Sequence, residues 1–105
     1  MLALAAPLAS LGACSLPSNV ALKRVDSLRA AQDACLKNNI AQFEDRNSTA
    51  AQVGQYVAMS CSVQTEKLVQ YAVPYANRRE YDRFQYDATR RATKYVETAR
   101  EATAN

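Results

Sequence analysis

The chain contains no histidine and no tryptophan, and only two glycines and three prolines among its 105 residues. Each shortage excludes something. Without His, the commonest general base and the commonest metal ligand are gone, and with them triads of the Ser-His-Asp or Cys-His kind. With Gly12 and Gly54 as the only glycines, no glycine-rich loop exists to cradle a phosphate. The three cysteines, Cys14, Cys35 and Cys61, are spaced too widely for a zinc pattern, so neither a metal nor another cofactor is expected. Glu44 and Asp45 are adjacent carboxylates, but sequence neighbours on a helix do not face each other, and a solvated helix end is the simpler reading. The expectation is a protein that is not an enzyme.

Large apolar residues are scarce as well. After residue 13 only 16 of 92 residues are Leu, Ile, Val or Phe. Such sparseness can accompany disorder, but disorder also calls for high net charge, and here the formal charge is +3. A slender helical domain fits better, stabilised by a disulfide or by homo-oligomerisation, as thin cores often require.

At the N-terminus, Leu2 to Leu11 is an apolar run interrupted by Pro7. It is too short to span a bilayer, which takes about 20 residues, but long enough for a signal-peptide core. Leu11-Gly12-Ala13-Cys14 closes the run and resembles the lipobox of bacterial lipoproteins. No Lys or Arg stands between Met1 and the run, which departs from the usual charged start of a signal peptide. The residues by themselves also admit a plain cleaved signal peptide or a buried apolar segment. The resemblance implies a signal peptide over residues 1–13, acylation (palmitate) of Cys14 and a lipid-anchored tether over 14–19, which leaves residues 20–105 as the domain, read as helical from its own periodicity below. It further implies a place in the bacterial cell envelope. Ser15 lacks the aspartate associated with inner-membrane retention, so the outer membrane facing the periplasm is expected. Acylation of Cys14 leaves Cys35 and Cys61 as an even pair in an oxidising compartment.

Along the rest of the chain, breaks are few. From Val20 to about Glu44 there is neither Gly nor Pro, and Val25, Leu28, Ala31 and Cys35 recur at helical spacing, with Leu36, Ile40 and Phe43 on a neighbouring face. Asp45-Arg46-Asn47-Ser48 reads as a turn. Thr49 and Gln52 have the spacing of a capping box, opening a helix from about Thr49 to Val73 with Val53, Val57, Cys61 and Leu68 on one stripe. Pro74 ends or kinks it. A third helix follows from about Asn77 to Ala102, with the apolar line Tyr81, Phe84, Ala88, Ala92, Tyr95, Ala99 and Ala102. Nothing alternates with period two, so the fold class is all-α.

In an antiparallel hairpin turning near Ser48, level residues have numbers that sum to about 96. Cys35 and Cys61 satisfy that rule, as do Leu28 with Leu68, Val25 with Tyr71, Phe43 with Val53 and Gln32 with Gln64. The expected architecture is therefore a disulfide-stapled antiparallel helical hairpin followed by a third helix after Pro74. A Cys35–Cys61 bridge would close a loop of about 25 residues, worth about 3.5 kcal/mol by chain entropy. Gly54 and Ala58 offer a place for helices to approach closely; otherwise Gly54 is a defect costing about 1 kcal/mol.

Binding character concentrates between Tyr71 and Arg91. Tyr and Arg are enriched at interface hot spots, and Tyr71, Tyr75, Arg78, Arg79 and Tyr86 are the candidate partner-binding residues. The competing reading is a solvated helix laced by Arg83–Asp87 and Asp87–Arg91 pairs. An envelope location makes nucleic acid an unexpected partner. A protein or cell-wall partner is expected, besides the membrane reached through the anchor. The alternative function is a small periplasmic chaperone or enzyme inhibitor.

Overall fold

A computed structural model describes the backbone of residues 2–104 and the side chains of residues 20–104. Four helices follow in order: α1 (Leu2–Phe43), α2 (Ala50–Ser60), α3 (Ser62–Ala72) and α4 (Arg78–Ala104). The described residues contain no strand, and the fold is all-α. The helix expected to start at Val20 is part of α1, whose backbone begins at Leu2. The signal segment 1–13, Cys14 and the tether 14–19 lie outside the residues whose side chains are described.

The turn between α1 and α2 forms where its residues predict. The Asp45 carboxylate accepts from the Asn47 amide (3.0 Å) and the Ser48 hydroxyl (3.2 Å). Thr49 and Gln52 then cap α2 reciprocally. The Gln52 amide donates to Thr49 Oγ1 at 3.1 Å, and the Thr49 amide donates to Gln52 Oε1 at 2.9 Å. Both donors would otherwise be unsatisfied at the helix start.

The single helix expected from Thr49 to Val73 is instead two, broken at Cys61 (φ −107°, ψ 20°). The Cys61 amide donates to the Ala58 carbonyl, three residues back, at 3.1 Å. Ser60 also turns its hydroxyl onto the Val57 carbonyl at 2.6 Å. A side chain competing for helix carbonyls bends the backbone, and here the bend falls at the disulfide. Cys61 is bridged to Cys35 of α1, with their Cα atoms 6.0 Å apart. The stapled antiparallel hairpin is thus α1 against α2 and α3.

Pro74 stops α3 as expected. Val73 before it is extended (φ −129°, ψ 94°), the conformation that the proline ring imposes on its predecessor. The Ala76 amide closes a turn on the Val73 carbonyl at 3.1 Å, and Asn77 with Glu80 caps α4 reciprocally, both bonds 3.2 Å.

The core joins α1, α2 and α4. Leu36, Val53, Val57, Ala58, Cys61, Ala88, Ala92 and Val96 are wholly buried, and Ile40, Phe43 and Tyr95 pack at its edge. On α1 the buried positions are Gln32 and Leu36, while Ala31 is exposed and Val25, Leu28 and Cys35 are half-buried. The apolar stripe expected through Val25, Leu28, Ala31 and Cys35 is therefore rotated by about one residue. The cause is the third helix: α1 must face α4 as well as its hairpin partner. On α4 the same geometry buries Val96 and leaves Ala99 and Ala102 exposed.

Small residues set the closest approach. Gly54 of α2 is buried directly against Thr93 of α4. A Cβ at position 54 would lie 2.7 Å from the Thr93 amide nitrogen and 2.8 Å from its Cα. Gly54 is a requirement of this packing, not a tolerated defect.

Candidate functional site

Three groups of polar side chains stand out, one inside the bundle and one at each end. The inner group is a layer centred on Gln32 of α1 and Thr65 of α3, both wholly buried. The Gln32 amide donates to Thr65 Oγ1 at 2.8 Å, and Thr65 in turn donates to the Cys61 carbonyl at 3.3 Å. From α4, the Arg91 guanidinium donates to Gln32 Oε1 and to Asp33 at 3.3 Å. It also donates to Asp87 at 3.1 Å. Asp33 further accepts from the Tyr95 hydroxyl and pairs with Lys37 at 3.1 Å. The ammonium of Lys37 lies 5.1 Å from the centre of the Tyr95 ring.

The electrostatics of this layer follow from those partners. Burial pushes the Asp33 carboxyl up, but hydrogen bonds from Tyr95 and Lys37 and the charges of Lys37 and Arg91 outweigh it. Its pKa is lowered overall. The hydrogen bond to Asp33 raises that of the Tyr95 phenol, with burial acting in the same direction. The hydrogen bond that Lys37 donates to Asp33 is the chief cause of the raised Lys37 pKa. Every group here is occupied by another, and none is left as an activated nucleophile or a poised base. The layer fixes register among three helices.

A second clamp closes the turn end. Arg100 of α4 donates to Glu44 at 2.6 Å and to the carbonyls of Asp45 (3.0 Å) and Ser48 (2.9 Å). The Arg100 hydrogen bond holds the Glu44 carboxyl below its ordinary pKa, and Glu44 raises that of Arg100.

The outer group lies at the opposite end, where the Pro74 elbow joins α3 to α4. Tyr71 lies in the last turn of α3, Tyr75 sits in the elbow, and Arg78 and Arg79 begin α4, so four of the five candidate partner-binding residues come together. All four are exposed, Tyr75 completely. Tyr86 is also exposed, but lies two turns along α4, about 12 Å away at 1.5 Å per residue. Tyr75 and Arg79 do not share a helix face, because Tyr75 has φ 59° and precedes the helix. Arg24 of α1, which the sequence does not single out, joins this end. Its guanidinium lies 5.1 Å from the centre of the Tyr71 ring and donates to the Tyr71 hydroxyl at 3.5 Å. Beside the elbow, Glu66, Val69, Gln70, Arg78, Tyr81 and Asp82 help line an open cleft of about 510 Å³.

Some pairings depart from expectation. Gln32 hydrogen-bonds Thr65 and Tyr71 hydrogen-bonds Arg24, in each case the sequence neighbour of the expected level partner. Among the described residues Asp87 pairs with Arg91 but not with Arg83. A stripe that sequence reading misses is Tyr56, Met59 and Val63, exposed on the outer face of α2 and α3. Its spacing of three and four residues is the available signal.

No group of His, Cys, Asp and Glu among the described residues could hold a metal ion, and no described helix is long and apolar enough to cross a membrane. Compared with protein-family models, curated proteins and solved structures, the chain matches none.

Proposed function

We propose that this chain is a non-enzymatic, lipid-anchored structural or interaction protein of the bacterial cell envelope. It stands on the outer membrane, faces the periplasm and binds a protein or cell-wall partner through its helical surface. The observation that carries the reading is the cysteine distribution. Cys35 and Cys61 bridge each other, which leaves Cys14 as the single cysteine directly after an apolar run and the small pair Gly12-Ala13. A bridge of this kind is at home in an oxidising compartment.

The surface supports an interaction role. Tyr56, Met59 and Val63 form an exposed apolar stripe on the hairpin, and Tyr86 is exposed on α4. Contact area of this kind is what partner proteins bury. The polar layer inside the bundle supports a scaffold, since its donors and acceptors are spent on holding helices together.

Mass spectrometry of protein taken from native membranes tests the reading. The expected species has lost residues 1–13 and carries an acylated N-terminal Cys14. An unmodified Met1 or a free Cys14 thiol would overturn it. Capture from envelope extracts separates the roles. One stoichiometric membrane or wall partner supports the interaction protein, whereas many unfolded clients or a single hydrolase would make it a periplasmic chaperone or inhibitor.

A further inference from the structure

We propose that the elbow end of the bundle docks on the anionic headgroups of a phospholipid bilayer. Three independent features converge there. The first is position. The Arg24–Tyr71 contact sets the elbow level with the first described side chains of α1. Six residues separate Cys14 from Val20, and six residues span at most about 21 Å when fully extended. A lipid on Cys14 therefore keeps the elbow, and not the Ser48 turn, close to the membrane. Only this orientation rests on the anchored reading.

The second feature is charge. The Gln32–Thr65–Arg91 layer divides the bundle into two ends. Beyond it on the elbow side, residues 20–31 and 66–90 carry eight cations and five acids. The turn side, residues 32–65 and 91–105, carries five of each. All of the net charge of +3 therefore belongs to the elbow side. The pairing differs too. Lys37, Arg91 and Arg100 are engaged by carboxylates. On the elbow side, among the described residues, only Arg78 has a carboxylate within reach, that of Asp82 at 4.0 Å. Unengaged cations near an anionic bilayer each contribute roughly fivefold to binding.

The third is Tyr75. It follows Pro74 in the Val73–Ala76 turn, at the position where a positive φ favours glycine. A tyrosine there is strained, and its side chain, wholly exposed, gains no packing in return. Tyr71 beside it is also exposed, as are Val20 and Leu22 on α1. Tyrosine flanked by arginine suits the headgroup region, where the ring lies among the upper acyl carbons and the cations meet phosphate.

Vesicle flotation of the full chain with Cys14→Ser tests this without the anchor. Neutral phosphatidylcholine vesicles are compared with vesicles holding about 30 mol % phosphatidylglycerol, at low salt and at about 0.5 M salt. Binding through the apolar run 2–11 is common to both lipids and cancels in the comparison. The expected result is a preference for the anionic vesicles that high salt removes. Tyr75→Gly with Arg79→Gln and Arg83→Gln should lose about thirtyfold of that preference. It should keep its helicity, disulfide and thermal stability, because glycine relieves the turn. Lys94→Gln with Arg46→Gln, at the other end, should keep the preference. Equal binding to both lipids, or a preference that the elbow variant retains, overturns the proposal. So does equal loss in both variants, which would make the effect one of net charge alone. An unacylated Cys14 in native protein would instead sink the functional reading and leave these vesicle results standing.

Discussion

Gly54 of α2 lies directly against the backbone of Thr93 of α4, and nothing larger than hydrogen fits between them. Elsewhere in a helix, Gly→Ala gains about 1 kcal/mol in helix propensity. Here the neighbouring atoms are backbone and cannot swing aside. Gly54→Ala is expected to destabilise by about 1–3 kcal/mol, the usual cost of overpacking, and to lower the melting temperature. An unchanged or raised melting temperature would show that α2 and α4 are farther apart than described.

The Cys35–Cys61 bridge spans 26 residues of sequence and ties α1 to the bend between α2 and α3. With so few large apolar residues in the core, the cross-link is a large part of what keeps the hairpin closed. Reduction, or Cys35→Ala with Cys61→Ala, is expected to cost about 3–4 kcal/mol in denaturant unfolding. Non-reducing peptide mapping should recover the linked pair. Two freely alkylated thiols in native protein would remove this support.

Much of this architecture is legible in the sequence because local chemistry sets it. Thr49 with Gln52 marks a helix start, Pro74 marks a stop, and the turn at Asp45–Ser48 fixes the register that pairs Cys35 with Cys61. Contacts that depend on the third helix are less legible. The packing of α4 rotates the buried stripe of α1 onto Gln32 and Leu36, and no periodicity within α1 alone reveals that. Gln32 looks like a rim residue in a two-helix hairpin, yet it is wholly buried once Arg91 arrives from α4. The break at Cys61 is hidden for a similar reason, since it comes from a serine hydroxyl competing for the Val57 carbonyl. At the elbow, composition picks out the tyrosines and arginines, while the contribution of Arg24 requires the fold.

Gln32 and Thr65 provide a test of the buried layer. Gln32→Leu removes both the donor to Thr65 and the acceptor of Arg91, leaving one Arg91 guanidinium nitrogen without its partner and Thr65 with only its bond to the Cys61 carbonyl. The expected cost is about 2–3 kcal/mol. Adding Thr65→Val removes a hydroxyl that has already lost its Gln32 donor, so the double variant should cost less than the sum of the two single variants. A double variant that loses the sum of two large penalties would mean that the two side chains act independently.

The carboxylates at both ends of the α1–α4 contact predict how stability depends on pH. Glu44 is held below its ordinary pKa by Arg100, and Asp33 is held below its own by Tyr95, Lys37 and Arg91 despite partial burial. For a lowered carboxyl, the stabilising contribution is fully present above the unfolded value and lost as pH falls through the folded one. Stability should therefore be level near neutrality and decline below about pH 4, where ordinary Asp and Glu begin to protonate. Tyr95 acts at the other extreme. Its pKa is raised, so its contribution is intact below about pH 10 and lost as the phenol ionises above that. Melting temperature measured from about pH 2 to 7 should show the acid decline, and Glu44→Gln should flatten part of it while lowering stability at neutral pH. A Glu44→Gln profile parallel to that of the parent would show that the Arg100 clamp contributes no proton-linked stability.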